Sequence, residues 1–281
     1  MSIPEPFYLT SDVKQTLVEA VDALGRVGPL PVVVASNDYA LLLENWIAHM
    51  KALGIVRFLV VAMDAAIAHR LSGKGLVLAR GHFDGSATDF WLRRMLIWQY
   101  LVEIGVDIVQ SDIDAIWLKN PIPEFLANQS HDLICSQGTL HPFDTAQSWG
   151  FVICTGFMAI RSTPPAIRFL SEFQDRAAQV LETDDQDVMN HILFDAGLIW
   201  DAAGAEPEVN YIDGLKFHSF PTPIAGFSAS LGLTVSLLPH SLFPRLPASG
   251  PEAYVKHTLR PVDDSLRITE LKSVGCWMLD E

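Results

Sequence analysis

Val106 to Pro121 reads VDIVQSDIDAIWLKNP, and how this stretch is read decides the fold. Val106, Ile108 and Val109 form an apolar, β-branched run of the kind that marks a buried strand. The run ends in two aspartates one residue apart, Asp112 and Asp114, and apolar sequence resumes through Ile116, Trp117 and Leu118. Side chains two apart on an extended chain face the same way, about 6.5 to 7 Å apart along the strand. Two unpaired carboxylates on one face repel each other and are costly to bury. A hard divalent cation removes both costs, because Mg²⁺ or Mn²⁺ takes carboxylate oxygens and keeps waters and substrate phosphates in its shell. The plainer reading is that the two aspartates cap a turn, or the short helix suggested by PIPEFLA at residues 121–127. D-x-D taken alone does not separate the two readings.

Working outward, the chain before this stretch alternates apolar runs with helical patterns. PVVVAS, Pro31 to Ser36, reads as a buried strand, and Asn37 or Asp38 can cap the helix that follows. That helix carries Leu42, Leu43, Trp46, Ile47, Met50 and Leu53 on one face and stops at Gly54. VRFLVVAMD (residues 56–64) is the next strand and GLVLA (75–79) a short third one. A long helix, WLRRMLIWQYLVEI, starts from Asp89, ends at Gly105 and delivers the chain into the D-x-D strand. This rhythm implies an α/β fold with a mostly parallel sheet flanked by helices. Ligands of such sheets bind beyond the carboxyl ends of the strands, which is where Asp112 and Asp114 stand.

After it come the strand DLICSQ (132–137), a polar and aromatic loop, FVICTGFMAIRS (151–162), a helix through PPAIRFLSEFQDRAAQVLE (164–182) and a second helix entered at DDQDVMNHILFDAG (184–197). From Ala202 to Lys256, Pro, Gly and short apolar runs predict loops and isolated strands, an irregular C-terminal lobe. No internal repeat or linker interrupts the chain, so a single domain over 1–281 is the simplest account.

Apolar residues make up 49% and charged residues 19% of the chain, a globular composition rather than a disordered one. No apolar run approaches the roughly 18 residues that span a bilayer. MSIPEPFYLTSDVKQTLVEAVDALG lacks the basic head and apolar middle of a secretory signal, and Cys135, Cys154 and Cys276 are odd in number and far apart. Both features lead us to expect a reducing, cytoplasmic location, with the sequon Asn128-Gln129-Ser130 inert. A formal net charge of -14 argues against nucleic acid or an anionic membrane as partner, since binding a polyanion takes clustered Lys and Arg. A phosphate-bearing ligand would have to find its counter-charge locally.

The order of helix, strand, D-x-D and apolar run resembles nucleotide-sugar glycosyltransferases of the GT-A fold, most closely the family-77 enzymes and more distantly the glycogenin-like family 8. Those families carry a Lys or Arg four residues before a Trp on the helix preceding D-x-D, and Arg94 stands four before Trp98. CTGFMAIRS, Cys154 to Ser162, is similar to the N-T-G-F-M segment of the sugar pocket, with Cys154 where Asn is usual and with Thr155 and Gly156 matching. DDQDVMN resembles D-Q-D-x-x-N, matching at Asp185, Gln186, Asp187 and Asn190; a capped helix start explains the same residues. VSLLPHSLFP, followed by AYVKHT, resembles L-P-x-x-x-F-P and the late His, here His257. Thr258 stands where Asn often follows that His, and Arg260 or Arg267 stands in for a later Lys.

The resemblance implies a nucleotide-binding half at about 31–135 and a sugar- and acceptor-binding half at about 136–281. It implies Mn²⁺ or Mg²⁺ held by Asp112, Asp114 and His257, with Ile113 between the aspartates, and a diphosphate met by Arg94 and by Arg260 or Arg267. Ala35, Ser36 and Asn37 would hold base and ribose, with Asp64 as a weaker candidate; helix capping is the other reading of Asn37. The reaction implied moves a sugar, with retention, from a nucleoside diphosphate, UDP being the usual one, to a hydroxyl on a glycan, small molecule or protein. Asp185 or Gln186 would then support the far face of the sugar. Acceptor contacts would come from loops such as Gly138 to Gly150 and Ala202 to Gly232. Two alternatives stay open: a haloacid-dehalogenase-like phosphatase, which also uses D-x-D beside Mg²⁺, and a nucleotide-sugar-binding domain without turnover.

Overall fold

The computed structural model describes residues 8–83, 86–127, 130–177, 179, 184–212, 214–245, 251–259 and 264–280. In chain order the elements are α1 (Ser11–Leu24), β1 (Leu30–Ala35), α2 (Ala40–Ala52), β2 (Leu59–Ala62), α3 (Ala65–Leu71), β3 (Leu78–Arg80), α4 (Ala87–Glu103), β4 (Ile108–Ser111), β5 (Ala115–Trp117), β6 (Leu133–Gln137), α5 (Phe143–Trp149), β7 (Ile153–Ile160), α6 (Pro164–Ala177), α7 (Asp185–Asp195), β8 (Ile199–Asp201), β9 (Glu208–Ile212), β10 (Leu215–Ser219), β11 (Ile224–Ser228), β12 (Leu233–Leu237), β13 (Val255–His257) and α8 (Asp264–Ser273).

Nine strands form one sheet in the order β3-β2-β1-β4-β7-β6-β12-β11-β8. From β3 to β4 every pairing is parallel, and every residue of β1, β2 and β4 is buried. Strands covered on both faces read as unbroken apolar runs, which is why PVVVA shows no alternation. β7 is antiparallel to both β4 and β6, and β12 returns parallel to β6. One core layer packs α1, α4, α6 and α7 against the sheet. The other packs α2, α3 and α8 together with β5 and β13. The fold is therefore α/β, a central sheet flanked by helices.

The C-terminal stretch departs from the expectation of isolated strands. β9 and β10 form an antiparallel ladder, while β11 and β12 form another that joins the main sheet and carries β8 at its edge. β9–β10 and β11–β12 are local hairpins; what the sequence alone does not show is that β12 then pairs with distant β6 and so joins the second hairpin to the main sheet.

The long helix begins before Asp89. Ser86 is its cap, with its hydroxyl accepting the Asp89 backbone N–H at 3.1 Å. The capping expected of Asn37 or Asp38 is absent too: residues Asn37–Tyr39 form a 3₁₀ turn, and neither that turn nor α2 has a side-chain cap. Among the described residues no helix is long and apolar enough to cross a membrane.

Candidate active site

Asp112 and Asp114 do not lie on an extended strand. β4 ends at Ser111 and the chain turns, with the Ala115 N–H donating to the Asp112 carbonyl at 3.1 Å. The turn, rather than strand alternation, brings the carboxylates together. It holds because the apolar run AIW immediately becomes β5, which pairs antiparallel with β13 in the register Val255↔Trp117 and His257↔Ala115. Trp117 is fully buried, its indole N–H donating to Ser111 Oγ at 3.1 Å. The ladder therefore sets His257 beside the aspartates: Nε2 is 3.3 Å from Asp114 Oδ1 and 3.7 Å from Asp112 Oδ2. One ligand atom from each of the three residues lies within 4.8 Å of the others.

Gly156 closes this corner. A Cβ there would stand 2.1 Å from His257 Cε1 and 2.7 Å from Asp112 Oδ2, so only glycine lets the backbone approach the cluster. The approach comes from an irregularity in β7, whose register against β6 jumps from Cys135↔Met158 to Ser136↔Cys154. The intervening residues bulge toward the site, a usual device beside functional centres.

Arg94 reaches in from α4. It is only 5% exposed; Nη1 lies 2.5 Å from Asp112 Oδ1, Nη2 pairs with Asp185 Oδ2, and the guanidinium carbon lies 4.4 Å from the Trp91 ring and 4.9 Å from the Trp98 ring. Arg94 thus joins D-x-D to the start of α7. The two neighbouring aspartates there divide the work. Asp184 caps α7 by accepting the Asp187 N–H at 2.8 Å, leaving Asp185 to meet Arg94 and the Thr155 hydroxyl, the latter at 3.2 Å. Burial raises the Asp185 pKa, with Arg94 pulling the other way. Burial alone would lower the Arg94 pKa, yet Asp185 and Asp112 carry it above its usual value. Gln186 donates to the His141 carbonyl at 2.7 Å. Asn190 clamps α7 to β7 through both backbone groups of Ile153, each at 2.8 Å, a structural role.

These groups open onto a cavity of about 340 Å³, within the range of small-ligand sites. Asp112, Ile113, Asp114, Thr155, Gly156, Asp185, Gln186, Arg94, His257 and Arg267 all reach it. Four carboxylates there face three guanidiniums. Thr258, standing where Asn is usual, gives its hydroxyl to Asp114 Oδ2. Arg267 Nε lies 3.7 Å from the same oxygen, and its guanidinium carbon lies 5.7 Å from the Tyr39 ring. Arg260 lies outside the described residues.

None of the residues expected at base and ribose lines this cavity. Ala35 and Ser36 are buried, and Asn37 is exposed. Asp64 caps α3 through the Ile67 N–H at 2.8 Å and accepts the Asn37 backbone N–H at 2.7 Å. From this segment it is Val34 and Tyr39 that line the cavity.

Sequence reasoning missed Arg245. It follows directly on the F-P of the SLFP segment, and its Nη1 lies 2.9 Å from Cys154 Sγ and 3.0 Å from His257 Nδ1. Its Nε is buried without a partner among the described residues. A basic residue adjoining a matched segment in so acidic a chain was the available signal. Burial pushes the Cys154 thiol up, but Arg245 and His257 outweigh burial and bring it down to about 7. Burial and Arg245 lower the His257 pKa, and Asp114 and Cys154 reverse this to about 9.

The strand order and the helices on both faces define a class of fold, the GT-A-like α/β domains. The chain matches the profile of the nucleotide-diphospho-sugar transferase family over residues 53–263 and belongs to that family. It is similar to the arabinosyltransferase RRA2 of Arabidopsis thaliana, 26% identical over 189 residues that cover 58% of this chain and 44% of that protein. It is also similar to the arabinosyltransferase XEG113 of the same plant, 23% identical over 186 residues that cover 60% of this chain and 29% of that protein. The matched region thus spans less than half the length of these relatives. Among solved structures the chain shares its fold with the galactosyltransferase LgtC in complex with donor and acceptor sugar analogues, at TM-score 0.50 and 14% identity, covering 89% of this chain and 97% of that one.

The phosphatase alternative loses its footing here. It places D-x-D on the first strand, whereas Asp112 follows β4, and the family is one of sugar transferases.

Proposed function

We propose that this protein transfers a sugar from a nucleoside-diphosphate sugar, UDP-linked, to a hydroxyl acceptor with retention of configuration, in a divalent-metal-dependent reaction. The observation that carries this reading is the convergence of Asp112, Asp114 and His257 within 4.8 Å at the edge of the cavity. Two carboxylates and an imidazole suit Mn²⁺ well and Mg²⁺ acceptably, because oxygen donors match hard cations and one nitrogen favours the transition metal. A cation bound there supplies Lewis-acid neutralisation of the leaving diphosphate.

The chain's own groups do the rest. Thr258 orients Asp114 through its hydroxyl, and Gly156 leaves room for the cluster. Arg94 is committed to Asp112 and Asp185, so its part is to hold the two acids at a fixed separation. Arg245 and Arg267 face the cavity and offer N–H groups to the phosphate oxygens. Gln186, held by the His141 carbonyl, lines the cavity and would meet the sugar there. Asp185 is held by Arg94 and Thr155, which suits electrostatic support of a cationic sugar better than free nucleophilic attack. A reducing, cytoplasmic compartment is part of the proposal, on the odd number and wide spacing of Cys135, Cys154 and Cys276 in the sequence.

The test is a panel of nucleotide sugars, UDP-arabinose and UDP-galactose included, scored by thermal shift and by UDP release with Mn²⁺ or EDTA. A ligand that binds only the folded state raises its melting point. The expected result is a Mn²⁺-dependent shift and Mn²⁺-dependent UDP release. A shift with no release, even with acceptors present, would identify a binding domain instead. No shift from any donor with or without Mn²⁺ would refute the reading.

A further inference from the structure

His257 has two ring nitrogens, and the acidic pair faces one of them. Nε2 points at Asp112 and Asp114, while Nδ1 points away, 3.6 Å from Cys154 Sγ and 3.0 Å from Arg245 Nη1. An imidazole that gives Nε2 to a cation carries its proton on Nδ1, and that N–H needs an acceptor to fix the ring. A guanidinium has donors and no acceptor, so Arg245 cannot serve. The sulfur of Cys154 can. Its surroundings already use it as an acceptor: the Gly156 backbone N–H donates to it at 3.3 Å and Arg245 Nη1 at 2.9 Å. Cys154 is fully buried and is not among the described residues that line the cavity.

We propose that Cys154 is a positioning residue of the cation site, its sulfur accepting the Nδ1–H of His257 so that Nε2 stays bare and aimed at Asp112 and Asp114. This rests on the reading of Asp112, Asp114 and His257 as the cation ligands. It also assigns a part to Arg245. A proton on Nδ1 is incompatible with the Nη1 to Nδ1 contact, since two donors would face each other. Arg245 Nη1 touches both the sulfur and Nδ1 in this structure, and the proposal requires it to keep the first contact and give up the second.

The test is calorimetric titration of the full chain with Mn²⁺ alone, at one fixed pH, for the wild type and for Cys154→Ala, Cys154→Val and Cys154→Ser. Melting in EDTA shows which variants fold. The two apolar variants remove the acceptor, one leaving a gap and one filling it, so failure of either to fold leaves the other informative. Loss of a residue that orients a ligand typically lowers metal affinity about 10- to 100-fold, and that loss is expected for Ala and Val, with Ser restoring most of it. A folded Ala or Val variant that binds Mn²⁺ within about twofold of wild type overturns the proposal, as does a Ser variant as weak as Ala. A wild type that binds no Mn²⁺ refutes the cation-site reading itself, and this inference with it.

Discussion

Glu44 and Arg94 are each ionised groups shared between two partners of opposite sign, and they sit in different solvents. Glu44, on α2, takes Arg70 and Lys74 at 2.7 Å each, with those partners 40% and 44% exposed. Arg94 takes Asp112 and Asp185 with only 5% of its side chain exposed and indole rings alongside. Water screens the first cluster, so its charges contribute little, about 0 to 1 kcal/mol for an exposed pair. In the second, each charge is tolerable only because the others are present. Removing one member leaves an uncompensated buried charge, which typically costs about 3 to 5 kcal/mol. One arrangement trims a surface; the other sets the spacing of the acids that line the cavity.

The sharpest way to break this comparison is Arg94→Met. Chemical denaturation should show a loss of about 3 to 5 kcal/mol, with Asp185 stranded at 4% exposure. Arg94→Lys should recover part of it, because an ammonium lacks the planar fork that spans two carboxylates. If Met at this position is tolerated as easily as a surface change, Arg94 is not the link described here.

Gly156→Ala comes next. The added methyl must displace His257 or Asp112, and overpacking of this kind costs about 1 to 3 kcal/mol. Displacement of a positioning group by about 1 Å can cost 10²-fold in rate. UDP release should therefore fall by about 10²-fold while the fold survives, and unchanged turnover would show that the cluster does not need its close approach.

The smallest effect belongs to Glu44→Gln. The hydrogen bond from Arg70, opposed by partial burial and aided by Lys74, lowers the Glu44 pKa from 4.5 to about 2. A carboxylate with a depressed folded-state pKa stabilises above its unfolded value and loses that contribution as pH falls through the folded one. The variant should be less stable by under about 1 kcal/mol at pH 7, with the difference shrinking from pH 4.5 toward pH 2 in urea melts. A large difference at pH 7, or one that grows in acid, would contradict the contrast drawn between the clusters.

Much of the site was legible because its residues stand in patterns with a local cause. D-x-D at the end of an apolar run, Arg94 one helical turn before Trp98, and His257 after Tyr254 and Val255 are each short-range signals, and the structure brings all three together. What was not legible depends on contacts between distant segments. The pairing of β5 with β13 joins residues about 140 positions apart, and the turn at Asp112 to Asp114 is held by that pairing. Neighbouring Asp184 and Asp185 are equivalent as letters; which of them caps α7 depends on where Arg94 arrives. Cys154 stands out in the sequence only as a departure from the usual Asn; its place beside His257 comes from the register jump in β7. The 202–256 region carried the weakest patterning, and its strands became recognisable through their partners.

The most direct measurement is anomalous diffraction at the manganese edge from crystals grown with Mn²⁺ and UDP. The account predicts a single strong peak enclosed by the carboxylates of Asp112 and Asp114 and by Nε2 of His257, with density for the diphosphate on its cavity side. Manganese bound at another place, or UDP seated in the cavity with no manganese among those three side chains, would contradict it.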